Sequence, residues 1–184
     1  MKELWYRIYG RLDRLSKVTS KGLECVTALF VFISFLTLLF QVLYRFVIVK
    51  FFAFSFPFTE EFARYLLIWT VYFLIGVNLR EGSMVAISFV YDRTRGRAKT
   101  ALYYLTRLLM LAFLVIAFIF AVRVVRQNLG FRSSTLRAPG IALYLAPAIG
   151  LVLIGFETLV ELIGVAGGAI DPFASRGEAQ ASKE

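Results

Sequence analysis

Four long apolar stretches alternate with short charged segments along this chain: Cys25 to Tyr44, Phe62 to Leu79, Leu108 to Val122 and Ala138 to Phe156. The first is free of charge and about as long as a helix that crosses a ~30 Å hydrocarbon core. The others become long enough when charged side chains at their ends extend toward the lipid headgroups. The pattern predicts an all-α integral membrane protein with four transmembrane helices, at about residues 23–49, 60–80, 100–127 and 139–165.

The segment before the first span has a different pattern. Apolar residues recur there at helical spacing, and basic residues fall largely on the other side (Leu4, Trp5, Ile8, Leu12 and Leu15; Arg7, Arg11, Arg14 and Lys17). This predicts that residues 1–21 form an N-terminal amphipathic interfacial helix lying on the cytoplasmic side of the membrane. Residues 22–170 would form the four-helix transmembrane domain, and residues 171–184 a flexible cytoplasmic tail.

Basic residues are distributed unequally between the two sides of this predicted topology. The N-terminal segment, the second loop and the tail hold 13 lysines and arginines, against 6 on the opposite side. Since lysine and arginine accumulate in cytoplasmic loops, we expect both termini to face the cytoplasm. The net charge of +9 accompanies hydrophobic spans, and therefore indicates anionic membrane lipid as the partner rather than nucleic acid.

The composition excludes several kinds of chemistry. The chain has no histidine and a single cysteine, Cys25. The chain therefore cannot form bis-histidine haem ligation, the commonest zinc sites, histidine-based catalytic triads or internal disulfides. We also find neither a phosphate-binding glycine loop nor a dinucleotide fingerprint. The sequence predicts no enzyme activity and no cofactor, so energy for any transport must come from elsewhere.

Arg107 and Glu157 are charged residues within the third and fourth predicted spans, near their cytoplasmic ends. Arg107 and Glu157 each lie about six or seven residues from that end, which is about 10 Å deep at 1.5 Å per residue. A charge at the centre of a membrane helix costs about 2.5 to 3.5 kcal/mol, so such groups need partners. We expect a buried ion pair between Arg107 and Glu157. It is more typical of a structural clamp than of ion coupling, which usually gathers several polar groups.

The second span begins with two acids and a basic residue, Glu60, Glu61 and Arg64. Carboxylates suit the positive end of a helix dipole, and Arg64 can pair with either acid. One interpretation is a stable helix start at the membrane surface. The other is a docking face for a partner, because an aromatic stripe that includes Tyr65 and Trp69 follows the acids.

These residues resemble a known family, the small membrane (Q) subunit of tripartite ATP-independent periplasmic (TRAP) transporters. The likeness runs from about Glu24 to Gly164. Its most specific part looks like the family's E-E-x-x-R-x-x-x-x-W and R-x-G pattern, here Glu60, Glu61, Arg64, Tyr65 and Trp69, then Gly76 and Arg80, Glu81 and Gly82. A second part lies in the third loop and the start of the last helix, at Ser134, Leu136, Pro139, Tyr144 and Pro147. Ser83 and Met84 stand where many members carry a histidine after the R-x-G glycine.

The resemblance implies a scaffold subunit rather than a transporter in itself. A large multi-spanning subunit would hold the substrate and sodium sites and move as an elevator, and a periplasmic substrate-binding protein would deliver the substrate, an organic acid in the family. The location implied is the cytoplasmic membrane of a bacterium or archaeon. The docking or subunit-interface candidates are then Glu60, Glu61, Arg64, Tyr65, Trp69, Arg80, Gly82, Pro139, Tyr144 and Pro147.

Two other classes of four-helix membrane protein remain as alternatives. A self-sufficient small-solute exporter needs an acid near the middle of its first span, whereas Glu24 lies at the cytoplasmic edge of this one. A membrane anchor of a redox enzyme would have to be one without haem, because the chain has no histidine ligand.

Overall fold

The computed structural model describes residues 2–46, 58–81 and 97–169. These residues form four α-helices and no strand; an isolated bridge joins Arg132 and Pro139. The helices are α1 at Lys2–Phe46, α2 at Phe58–Glu81, α3 at Arg97–Gln127 and α4 at Ile141–Ala166. Each is long and apolar enough to cross a membrane. The prediction of an all-α membrane protein with four spans is confirmed.

The N-terminal segment differs from the expectation of a separate interfacial helix. α1 is one continuous helix of 45 residues, about 67 Å long, and it has no break near residue 21. A helix lying on the membrane would need a bend before the span, and no proline provides one. Instead, Ser16 and Ser20 are buried, as Thr27 and Ser34 are further along. The inward face of the span therefore continues into the N-terminal segment.

The helices pack in the order α1, α2, α4, α3. α1 packs mainly on α2, α2 on α4 and α3 on α4, with a smaller contact between α1 and α4. α2 and α4 therefore form the centre of the bundle, and α3 lies outside it against α4. The predicted end of the first span at residue 49 and the predicted tail at 171–184 fall outside the described residues.

Small residues let α2 and α4 approach closely. A Cβ added to Gly150 would lie 2.8 Å from Cδ1 of Tyr72 and 3.1 Å from its carbonyl oxygen. A Cβ on Gly76 of α2 would lie 3.1 Å from Cβ of Leu153. Each helix thus presents a glycine to a side chain of the other, which is the close packing expected of small residues in membrane helices.

Candidate functional site

A buried polar cluster joins three helices at one end of the bundle. Arg80 of α2 donates to the hydroxyl of Ser16 and, over 3.2 Å, to Oδ1 of Asp13, both on α1. Ser16 in turn donates to Oε1 of Glu157 on α4 over 2.6 Å. Arg80, Ser16 and Glu157 are all buried. The cation therefore contacts the carboxylate of Asp13 directly and is linked to that of Glu157 through one hydroxyl. We call Asp13, Ser16, Arg80 and Glu157 the inner cluster.

A second polar contact at this end joins α3 to α4, and it corrects the expected ion pair. Arg107 is bonded to Oε1 of Glu161, not to Glu157. Tyr103 donates its hydroxyl to the same carboxylate oxygen over 3.0 Å. Glu157 and Glu161 are one turn apart on α4, and Glu157 belongs to the inner cluster instead. The charge on Arg107 thus has a partner, as expected, but a different one.

At the other end of the bundle, Glu61 holds the loop between α3 and α4. Its Oε2 accepts the backbone N–H of Leu136 at 3.0 Å and that of Thr135 at 3.3 Å. The loop closes on itself as well, since Ser133 N–H donates to Ala138 O over 3.0 Å and Gly140 N–H to Phe131 O over 2.8 Å. The first turn of α2 is therefore tied to a segment that follows it by more than 70 residues.

The neighbouring acid makes weaker contacts. Glu60 pairs with Arg64 four residues later at 3.3 Å, and both side chains are more than half exposed. It also accepts a long hydrogen bond of 3.5 Å from Gln41 of α1. An exposed pair of this kind contributes about 0 to 1 kcal/mol. Glu60 and Arg64 thus remain available to a partner, whereas Glu61 is used within the chain.

The other candidate residues divide between the bundle and the surface. Trp69 donates its indole N–H to Ala142 O over 2.7 Å and packs edge-on against Phe73. Tyr144 packs against Phe131 of the loop. Tyr65 is half-buried, Pro147 is half-buried within α4, and Pro139 is exposed beside the loop. Gly82 lies outside the described residues.

The two polar ends are separated by about one hydrocarbon thickness. Glu60 and Arg80 are 20 positions apart on α2, which is about 30 Å at 1.5 Å per residue. A bilayer core is also about 30 Å thick. Between these ends α2, α3 and α4 carry no charged side chain, and α1 carries none from Cys25 to Tyr44. The charged contacts of the described residues therefore lie where the membrane surfaces would be.

These contacts join the helices of the chain to one another. The described residues contain no group of three or more metal-ligating side chains. Arg80, Arg107 and Glu61 each contact groups of the chain itself. The geometry defines a small polytopic helical protein whose charged contacts join parts of its own chain.

Comparison with protein families agrees with this class. The family model of the tripartite ATP-independent periplasmic transporters, DctQ component, matches residues 34–167. The match covers well over half of the chain, so the chain belongs to this family. A search of curated proteins found no match.

Proposed function

We propose that this chain is the scaffold subunit of a sodium-coupled TRAP transporter that imports an organic acid. It would pair with a large elevator-type membrane subunit in the cytoplasmic membrane of a bacterium or archaeon and receive a periplasmic substrate-binding protein on its outer face. Family membership supports this proposal. The observation that carries it is that α2, α3 and α4 have no charged side chain between their polar ends, and α1 has none from Cys25 to Tyr44. A transport site normally gathers polar groups and broken helices near the midplane.

The exposed apolar surface of the outer helices fits this role. Most large side chains along one side of α3 are exposed, among them Leu108, Phe113, Ile116 and Phe120. The same is true of α1, where Leu29, Phe32 and Leu36 are examples. Lipid alone could cover these surfaces, but they also provide ample apolar area for packing against a larger membrane protein.

The distribution of charge supports an orientation with both termini in the cytoplasm. The inner cluster would then lie at the cytoplasmic surface, and Glu61 with its loop would face the periplasm. Five basic side chains are exposed along the first part of α1: Arg7, Arg11, Arg14, Lys17 and Lys21. In this orientation they suit the anionic lipids of the cytoplasmic leaflet.

Co-purification and reconstitution test the proposal. We expect a large multi-spanning membrane protein to co-purify with the chain when both are co-expressed and extracted in mild detergent. Liposomes containing the chain alone should take up no organic acid under a sodium or proton gradient, whereas the complete three-part system should. Uptake by the chain alone would contradict the scaffold role and favour a self-sufficient carrier.

Glu61 and Glu60 provide a matched pair for the docking face. Glu61→Gln removes the charge that strengthens two loop hydrogen bonds, since bonds to charged groups are about twice as strong as neutral ones. Loop positioning should suffer, and uptake by the complete system should fall several-fold. Glu60→Gln removes the same charge from an exposed pair and should leave uptake within about twofold of wild type.

Recovery of the large subunit by pull-down is measured for both variants alongside uptake. We expect normal recovery in each variant, because the four spans are unchanged. If Glu61→Gln and Glu60→Gln reduce uptake equally, the two acids act through the negative charge that each contributes to this end of α2. The loop contact would then have no special part in docking.

A further inference from the structure

An apolar groove separates α3 from α4 in the half of the bundle that holds Glu61 and the loop. Its volume is about 380 Å³. Phe118 and Val122 of α3 form one wall, and Leu145, Ala148 and Val152 of α4 form the other. The two helices meet through Arg107 and Glu161 at the far end and through the connecting loop at the near end, so the groove lies between two fixed points.

One cation lies at the surface end of this groove. Arg126, in the last turn of α3, is the charged residue among those that line it. Its side chain is exposed, and it forms no ion pair within the described part of the chain. Arg123, three residues earlier, packs over the ring of Phe120 and does not line the groove.

The length of the groove matches one leaflet. From Arg126 to Phe118 is eight residues, or about 12 Å along α3. Half of a ~30 Å hydrocarbon core is about 15 Å. The groove thus begins with a positive charge at the level of the lipid headgroups. Its apolar part extends most of the way to the midplane of the bilayer. An anionic phospholipid has the matching arrangement, a negatively charged phosphate followed by an apolar acyl chain.

We propose that this groove binds one anionic phospholipid, with the phosphate at Arg126 and an acyl chain between α3 and α4. The site is separate from the scaffold role proposed above and does not depend on it. It also differs from the basic residues of α1, which lie at the opposite end of the bundle.

Lipid binding to the purified full-length chain tests the site. The chain is delipidated in mild detergent, and phosphatidylglycerol or phosphatidylcholine is added at defined concentrations. Native mass spectrometry measures the bound lipid, and thermal unfolding measures the stabilisation. We expect wild type to retain one phosphatidylglycerol in preference to phosphatidylcholine, because a cation near the membrane surface attracts anionic lipid by about 1 kcal/mol.

Two pairs of variants separate the parts of the site. Arg126→Gln should weaken phosphatidylglycerol binding about fivefold, the equivalent of about 1 kcal/mol, and weaken phosphatidylcholine binding less, because the choline offsets the charge of its phosphate. Arg123→Gln is its control and should behave as wild type. Val152→Trp, at an exposed position on the groove wall, should block the acyl chain and reduce binding of both lipids. Val124→Trp, exposed on α3 but outside the groove, should not.

Three results would overturn the proposal. The first is an equal loss of phosphatidylglycerol preference in Arg126→Gln and Arg123→Gln, which would indicate general surface charge. The second is normal lipid binding by Val152→Trp with wild-type helical content. The third is crosslinking of the large subunit to a cysteine placed at Val152 in the assembled transporter, together with loss of bound lipid. That result would make the groove a protein contact.

Discussion

Replacing Arg80 with leucine is expected to lower the free energy of unfolding by about 3 to 5 kcal/mol. The side chain is buried, and it is the cation that joins Asp13 and Ser16 of α1 to α2, with Glu157 reached through the serine. Removal of one partner from a buried ion pair leaves the other charge uncompensated in a poorly solvated site. Titration of the purified chain with a denaturing detergent, followed by circular dichroism, measures the change.

A second arginine of the same helix is the control. Arg64 also pairs with a carboxylate, but both side chains are largely exposed, so Arg64→Leu should cost no more than about 1 kcal/mol. Adding Asp13→Leu and Glu157→Leu to Arg80→Leu should recover part of the lost stability, because apolar groups suit a desolvated site. Equal losses in Arg80→Leu and Arg64→Leu would mean that the inner cluster does not stabilise the bundle.

Adding a single methyl group at Gly150 is expected to destabilise the protein by about 1 to 3 kcal/mol. In Gly150→Ala, the new Cβ would overlap Cβ and Cδ1 of Tyr72 and crowd its carbonyl oxygen. Relief requires α2 and α4 to move apart, because the obstacle includes backbone and Cβ atoms rather than the end of a flexible side chain. Overpacking of a close contact usually costs this amount. The same detergent titration measures it.

Gly155 is the matched control on the same helix. A Cβ there would meet no atom within 4 Å. Gly155→Ala should therefore be neutral or slightly stabilising, by up to about 1 kcal/mol, because alanine favours the helix. If Gly150→Ala is tolerated as well as Gly155→Ala, the close approach of α2 and α4 is not a constraint on the fold.

The number and position of the helices could be predicted because the bilayer leaves so few choices. Only a helix of about 20 apolar residues satisfies its own backbone within the hydrocarbon core, so hydropathy locates each one. The continuity of α1 could not be predicted in the same way. An amphipathic pattern over residues 1–21 is equally compatible with a helix on the membrane surface and with a helix that packs against its neighbours. Burial of Ser16 and Ser20 distinguishes them.

Only some of the polar contacts could be predicted from the sequence. Depth along the chain placed Arg107 near an acid of α4, but Glu157 and Glu161 differ by only about 6 Å along the helix axis. Depth alone could not choose between them. Asp13 could not be assigned to the cluster from the sequence, because the pattern of its segment fits a helix that lies apart from the bundle. Glu60 and Glu61 are adjacent in sequence yet point in directions about 100° apart on a helix, so only Glu61 reaches the loop.

The position of α3 has a consequence for biosynthesis. Its principal neighbour is α4, which is made later, so α3 enters the membrane before the helix it will pack against exists. Until α4 is inserted, α3 lacks its principal neighbour, so it must be hydrophobic enough to remain in the membrane without that contact. Among the most apolar 18-residue stretches of the four helices, that of α3 has the highest mean hydropathy, 2.9, and that of α2, which is inserted after α1, has the lowest, 1.5. The hydropathy of these two spans thus fits their order of emergence from the ribosome.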